Sequence, residues 1–235
     1  RAVDVAGNLA AAVRYDGRQA TLVVFNVVDA ARPREAGDVA VPGRGADVRL
    51  RGTLAFVAGG DADPVSIVDV GVPSLPRVIG QVPARASTGV AVVGERLLVV
   101  GPGAGLLAFD VADPTRPGSP IALDLGRTGR IDAVAGLAAV TGAPVGGVPG
   151  VWALRSTRGR WGVTARSDTA GRAADVALLG DDLLVADGEG GLLVLSLPQS
   201  ELGPEPVAFL PYVEVVARLR RAAEEPENGL GGRVT

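Results

Sequence analysis

The chain has 235 residues and a formal net charge of −3, with 23 Arg, no Lys, and no His, Cys or Met. This inventory excludes disulfides, thiol nucleophiles, Schiff-base lysines, the usual zinc and iron ligands, and every Ser-His or Cys-His dyad. Without a basic block, the charge also argues against nucleic acid as a partner. The composition therefore favours a binding role over an enzymatic one, and we expect no cofactor.

A motif of alternating apolar residues, a glycine and a second apolar run recurs five times along the chain. Its anchor glycines are Gly7, Gly52, Gly94, Gly136 and Gly180, spaced 45, 42, 42 and 44 residues apart. This period is typical of a four-stranded propeller blade. The sequence therefore predicts an all-β propeller of about five blades over residues 1–211, with units at about 2–44, 45–86, 87–129, 130–171 and 172–211.

The third unit shows the order of elements within a repeat most clearly. Two apolar runs are separated by two residues, Gly94 and Glu95, which is the spacing of a hairpin. A third apolar run ends on Asp110, and prolines follow it at a turn. The predicted strands are Gly89–Val93, Arg96–Val100, Leu106–Val111 and Ile121–Leu125.

The other units repeat this order. The predicted third strands are Leu22–Val27, Val65–Val70, Val151–Arg155 and Leu192–Leu197. The fourth unit lacks both the Asp at the end of this strand and the proline pair, so we expect its blade to be distorted.

Two segments need separate interpretation, one because it could also be read as a membrane-spanning helix and the other because it follows the last repeat unit. Residues 133–154 carry no charge over the length of a membrane-spanning helix, but their glycines and prolines and their fit to the repeat predict strands and no membrane insertion. Residues 212–235 lie beyond the last unit. Apolar residues at helical spacing from Val213 to Ala223 predict a short amphipathic helix there, ended by Pro226 and followed by a flexible tail.

The second and third units resemble the LVIVD-repeat family. The resemblance is carried by Gly52–Ala58, by Ser66–Val70 with Pro73 and Pro76, and by Gly105–Pro114 with Pro117. It implies a β-propeller of the kind found in bacterial secreted or surface proteins, so we expect an extracellular, cell-surface or periplasmic location. It also implies an interaction module without an assigned activity.

Arginines recur in the predicted loops between units, and Asp47, Asp132 and Asp175 follow at the start of inner strands. The arginines are Arg44, Arg85, Arg127, Arg130 and Arg172. One interpretation is a charged ring at the propeller rim that binds a small anionic ligand or a protein partner, since guanidinium groups suit carboxylate and phosphate. The other, which repetition in every blade favours, is that each Arg pairs with a neighbouring Asp and locks adjacent blades. Arg127, with Asp132 close behind it, is the strongest candidate for such a lock.

Carboxylates in loops between second and third strands raise two further hypotheses. Asp61 and Asp63, in one loop, are candidate calcium ligands, although this loop lacks a full ligand series. A propeller hydrolase using Asp61, Asp63 or Asp187 around a divalent cation is the alternative function, and it requires that these carboxylates converge.

The number of blades in the ring is the last expectation. Five units closed into one ring would bury every blade face, and we therefore expect a closed, monomeric five-blade propeller. A fragment of a larger ring is the alternative, and it would leave two blade faces open.

Overall fold

A computed structural model describes residues 2–103, 105–180, 182–197 and 206–210. Within these residues, twenty strands form five antiparallel sheets of four strands each. Sheet 1 contains β1 (Ala2–Ala6), β2 (Leu9–Tyr15), β3 (Ala20–Asn26) and β4 (Arg34–Val41); sheet 2 contains β5 (Asp47–Arg51), β6 (Leu54–Ala58), β7 (Val65–Asp69) and β8 (Arg77–Val82); sheet 3 contains β9 (Gly89–Val93), β10 (Arg96–Gly101), β11 (Gly105–Asp110) and β12 (Ile121–Leu123); sheet 4 contains β13 (Arg127–Val134), β14 (Leu137–Ala143), β15 (Gly150–Thr157) and β16 (Arg160–Asp168); sheet 5 contains β17 (Asp175–Leu179), β18 (Asp182–Ala186), β19 (Leu192–Ser196) and β20 (Pro206–Leu210).

Each sheet is a simple meander in which consecutive strands are neighbours, as predicted for propeller blades. The five anchor glycines lie in the turns between the first and second strands, and all have φ between +56° and +83°. Side chains rarely adopt this conformation, so glycine is the residue that closes these hairpins. The repeat period is therefore set by one tight turn per sheet.

The fourth sheet has all four strands, and its distortion is a register shift between its first and second strands at Thr128/Ile131, which the equivalent strand pairs of the other sheets do not show. Its third and fourth strands are among the longest in the chain and are joined at Arg158 and Gly159 instead of by a proline turn. A register shift between third and fourth strands occurs here at Ala153/Leu154, as it does in sheets 1, 2 and 5. Loss of the proline turn thus lengthens the hairpin without breaking the sheet.

In the described part of the chain, four hydrophobic clusters hold the sheets together, one for each pair of consecutive sheets. Phe56 and Phe109, both fully buried, fill the cluster between sheets 2 and 3. Among the described residues, no such cluster joins sheet 5 to sheet 1. The expectation of a closed five-blade ring is therefore wrong for the described chain, which forms an open arc of five sheets.

The outer edge of the arc is held by contacts between an outer strand and the next sheet's proline turn. A Cβ atom built on Gly37 of β4 would lie 2.6 Å from the Pro73 carbonyl oxygen, and one on Gly80 of β8 would overlap the Pro114 carbonyl oxygen. By strand register Ile121 occupies the same place in sheet 3. This position in sheet 3 accommodates a side chain because sheet 4, which packs next to it, has no proline turn. Glycine at this position and the proline turn of the following sheet thus occur as a pair.

The uncharged segment 133–154 forms parts of β13, β14 and β15, as its fit to the repeat predicts. The described part of the chain contains no helix with the length and hydrophobicity needed to cross a membrane. The helix predicted to begin at Val213 lies outside the described residues.

Candidate anion-binding pocket

A concave pocket of about 580 Å³ opens where the inner strands of sheets 3, 4 and 5 begin. Its volume is in the range of small-molecule sites. The walls are mostly apolar or backbone, with three arginines and three threonines. The lining residues are Thr88, Pro102, Arg127, Thr128, Gly129, Arg130, Thr141, Gly142, Ala143, Pro149, Arg172, Ala173 and Ala174.

Arg127 and Arg172 provide the free positive charge of this pocket. Both side chains are exposed, and neither guanidinium has a hydrogen bond or an acidic partner among the described residues. No Asp or Glu of the described part of the chain lines the pocket. Because Arg127 begins β13 and Arg172 precedes β17, two consecutive sheets each contribute one cation to the same concavity.

The threonine hydroxyls of the pocket are already used within the protein. Thr128 Oγ1 accepts the Gly101 N–H at 2.9 Å and lies 2.7 Å from the Gly105 carbonyl oxygen, which ties sheet 4 to sheet 3. Thr141 Oγ1 accepts the Arg130 N–H at 3.0 Å. These bonds hold the floor of the pocket in place and leave ligand recognition to the arginines.

Arg130 has a structural role instead of a free guanidinium. Its Nη1 donates to the Thr88 carbonyl at 2.8 Å and lies 3.4 Å from the Ala46 carbonyl oxygen. One side chain from sheet 4 therefore reaches backbone at the start of the inner strands of both sheet 3 and sheet 2.

The other two predicted site arginines lie outside the pocket. Arg44 Nε lies 2.9 Å from Asp61 Oδ2, but both side chains are about 60% exposed, so this ion pair adds little stability. Arg85 is exposed and precedes Thr88. The structure thus places three of the five predicted arginines at the pocket, two with free guanidinium groups and one that bridges sheets, and two elsewhere on the surface.

Hydrogen bonds do lock neighbouring sheets together, but the Asp residues bond to backbone N–H groups and not to the arginines with which they were predicted to pair. Asp4 Oδ2 accepts the Leu50 N–H at 2.6 Å, and Asp132 Oδ2 accepts the Leu178 N–H at 2.8 Å. Sheet 3 uses a hydroxyl instead, with Thr88 Oγ1 donating to the Gly129 carbonyl at 2.6 Å. The pairing of Arg127 with Asp132 expected from the sequence is wrong, because strand geometry directs that carboxylate to the next sheet.

Asp47 is the most buried of these locking carboxylates. Its Oδ2 accepts the Val90 N–H of sheet 3 at 3.0 Å, and its Oδ1 accepts the Val48 N–H at 2.9 Å. Burial raises the pKa of Asp47 above its usual value, although Arg49, the two N–H groups and Arg130 act in the opposite direction.

This raised pKa predicts a pH-dependent difference between the protein and its Asp47→Asn variant. The folded state binds the proton more tightly than the unfolded state, so stability contributed by this group falls as pH rises above about 4. We expect the free energy of unfolding, measured in urea from pH 3.5 to 7, to fall relative to that of the variant as pH increases. A difference that does not change with pH would contradict a raised pKa.

Asp61 and Asp187, two of the carboxylates proposed for hydrolysis, are not brought together. Asp61 pairs with Arg44, whereas Asp187 is fully buried in sheet 5 and accepts the Gly171 N–H at 2.7 Å. Sheets 3 and 4 separate these residues. Within the described residues no group of three or more Asp, Glu, His or Cys side chains is placed to hold a metal, so neither the calcium site nor the hydrolase has a convergent carboxylate centre there.

Comparison with known proteins identifies the repeat. Residues 33–83 and 170–196 match the model of the LVIVD repeat. The first segment contains β4 and sheet 2, and with them Gly52–Ala58 and Ser66–Val70 of the residues that carry the resemblance; the second contains β17 to β19 of sheet 5. No curated protein matches the sequence significantly.

Solved structures confirm the propeller-like fold. A functionally unknown protein from Desulfotomaculum acetoxidans DSM 771 is similar with a TM-score of 0.70 and 10% identity over 89% of this chain and 72% of that one. The periplasmic gluconolactonase PpgL of Pseudomonas aeruginosa is similar with a TM-score of 0.68 and 13% identity, over 88% of this chain and 69% of that one. The computationally designed Ika8 protein is similar with a TM-score of 0.65 and 11% identity. The match covers 88% of this chain and 60% of Ika8. At these identities the likeness shows the fold alone.

Proposed function

We propose that this LVIVD-repeat β-propeller is a non-enzymatic binding module that recognises an anionic group, a carboxylate or a phosphate, in the pocket between sheets 3, 4 and 5. The observation that carries the proposal is the pair Arg127 and Arg172. Two guanidinium groups from adjacent sheets border one concavity without an acidic neighbour among the described residues. An anion placed between them would receive charge-assisted hydrogen bonds from both.

The apolar residues of the pocket lining indicate which groups the ligand has besides its anionic group. Pro102, Ala143, Pro149 and Ala173 offer contact surface but no side-chain hydrogen-bonding group. A small molecule with an apolar body and one anionic end fits this division, as does an acidic side chain presented by a protein loop. The module holds such a group without chemistry, because the chain supplies neither His, Cys nor Lys.

We extend the proposal to location. The match to the LVIVD repeat, a family that the sequence resemblance associates with bacterial secreted and surface proteins, supports a role outside the cytoplasm in a bacterium. Fractionation of the native host with an antibody to this chain tests it, and recovery in the cytoplasmic fraction would contradict it.

The binding proposal is tested with inorganic phosphate and citrate as probes, by calorimetry and by thermal unfolding at constant ionic strength set with chloride. We expect Arg127→Gln and Arg172→Gln each to weaken binding about 10- to 100-fold, the equivalent of a charge-assisted hydrogen bond. Unfolding without ligand should hardly change, since neither side chain is bonded in the described structure.

Arg85→Gln is the matched control, because it removes the same charge from an exposed site outside the pocket. It should bind both probes as the unaltered protein does. Equal losses of affinity in all three variants would indicate a general charge effect. If phosphate and citrate bind no more tightly than chloride, the proposal of an anion site is overturned.

A further inference from the structure

The loop between β14 and β15 presents an apolar tip to solvent. It spans residues 144–149, with the sequence Pro-Val-Gly-Gly-Val-Pro, and contains no polar side chain. Val145 is 87% exposed, the highest fraction among the large apolar side chains of the described residues, and Val148 is 54% exposed. The loops at the same place in sheets 1 and 2 carry Asp16 and Asp61 instead. The apolar tip therefore distinguishes sheet 4 from these sheets.

A tight turn fixes the tip of this loop. The Gly147 N–H donates to the Pro144 carbonyl at 3.0 Å, and Gly146 has a φ of +72°. These are the features of a type II turn, in which glycine takes the third position and Val145 the second. Because the turn already holds Val145 in its exposed position, a partner that covers this side chain loses little conformational entropy of the loop.

Arg166 of β16 holds the other end of the loop. Its Nη2 donates to the Val148 carbonyl at 2.8 Å, and its Nη1 bonds to Asp168. The guanidinium carbon also lies 5.3 Å from the ring centre of Trp152, within the range of a cation–π contact. The loop is thus fastened to its own sheet at both ends, and its apolar tip has one defined position on the surface.

This loop borders the anion-binding pocket. Ala143, which precedes the loop, and Pro149, which ends it, both line the pocket. Ala143 is also the strand partner of Arg127. Strand partners lie at most about 5.5 Å apart and consecutive Cα atoms about 3.8 Å, so the Cα atom of Val145 lies within about 13 Å of that of Arg127. One partner can therefore reach the pocket arginines and the apolar tip together.

We infer that the anionic group bound in the pocket is a carboxylate of a protein segment whose neighbouring aliphatic side chains cover Val145 and Val148. The inference rests on the proposed function and specifies its ligand. Val145 does not line the pocket, so a small ligand held inside would leave the tip in water. Only a partner that extends beyond the pocket covers both, and the pairing of an apolar contact with charge-assisted hydrogen bonds is typical of protein interfaces.

The separation of the two contacts constrains the partner's sequence. An extended segment advances about 3.3 Å per residue, so the acidic residue and the aliphatic residues stand within about four positions of each other. A lipid surface is the poorer match, because the tip has none of the Trp, Phe or Leu side chains that insert at a membrane interface.

A displayed library of random peptides, selected on the intact chain, tests the inference. We expect the selection to enrich sequences with Asp or Glu within about four positions of Leu, Ile or Val. A synthetic peptide of an enriched sequence should compete with citrate for the pocket. Replacing its acidic residue by the corresponding amide should weaken its binding about tenfold or more, the equivalent of a charge-assisted hydrogen bond.

Val145→Ser and Val148→Ser separate this contact from the anion site. Each should weaken binding of the selected peptide about tenfold, since each removes an apolar contact, and should leave phosphate and citrate binding unchanged. Thermal unfolding should hardly change, because both side chains are exposed. Val72→Ser is the matched control, because Val72 is 60% exposed in the turn between β7 and β8, at the end of sheet 2 away from the pocket. It should bind the peptide as the unaltered chain does.

Several results would overturn the inference while leaving the proposed function intact, provided that phosphate and citrate still bind. They are a selection without enrichment, enriched sequences that lack an acidic residue, and equal peptide binding by Val145→Ser and Val72→Ser. Binding to vesicles of phosphatidylcholine and phosphatidylglycerol, or self-association in sedimentation, would likewise overturn it if Val145→Ser alone abolished that contact. Loss of phosphate and citrate binding as well would contradict both proposals.

Discussion

Replacing Asp47 by alanine is expected to lower the free energy of unfolding by about 3 kcal/mol, since it leaves two buried backbone N–H groups without an acceptor. These are the N–H groups of Val90 and Val48, both in residues with no exposed surface. The carboxylate is their acceptor, and alanine offers none. Urea unfolding at pH 7 measures the change.

Asp175→Ala is the control, because Asp175 has the same register position and the same bond to the following residue. It lies on the open face of sheet 5, where its second oxygen has no partner among the described residues. Its loss should lower stability by about half as much as the loss of Asp47, since only the Val176 N–H loses its acceptor. Similar effects at both positions would show that the contact between sheets contributes nothing.

Much of the fold follows from the sequence because each repeat specifies itself locally. Gly94 closes a two-residue hairpin, and the apolar runs on either side become β9 and β10 with boundaries within one residue of the predicted ones. These elements depend on hydrophobic alternation and on backbone conformations that only glycine adopts easily.

Contacts between repeats depend on geometry that the sequence does not display. The pattern places Asp132 on an inner strand, but an Arg within five residues suggests an ion pair as readily as a bond to the next sheet. The strand pleat decides, because it directs Asp132 toward Leu178. The sequence predicts a closed ring wrongly for a similar reason, since the number of repeats does not determine the angle between neighbouring sheets.

The candidate site, too, could be predicted from the sequence only in part. That arginines recur between units is visible in the sequence, and Arg127 and Arg172 are among those singled out. Their separation from Arg130 requires the structure, because Arg130 bonds to carbonyl groups of residues 42 and 84 positions away. Free and structural arginines therefore look alike until the sheets are assembled.

The contact between outer strands and proline turns explains why the repeat motif includes more than strands. Gly80 lies where the backbone of sheet 2 meets the Pro114 carbonyl of sheet 3. Its φ is not in the left-handed region, so the demand for glycine here comes from the neighbouring sheet and not from the strand itself. The prolines that make each turn rigid thus also fix how close two sheets lie at the outer edge.

Gly80→Ala is therefore expected to destabilise the protein by about 3 kcal/mol, the upper part of the usual range for overpacking. The obstacle is a backbone oxygen, which cannot turn away as a side chain does, so sheets 2 and 3 would have to separate locally. Gly162→Ala provides the control within another outer strand, because a Cβ atom there meets nothing within 4 Å. It should be neutral or stabilise by about 0.5 kcal/mol through the unfolded chain. Thermal and urea unfolding of both variants measure the difference, and a Gly80→Ala protein as stable as Gly162→Ala would show that the sheets can move apart at the proline turn without cost.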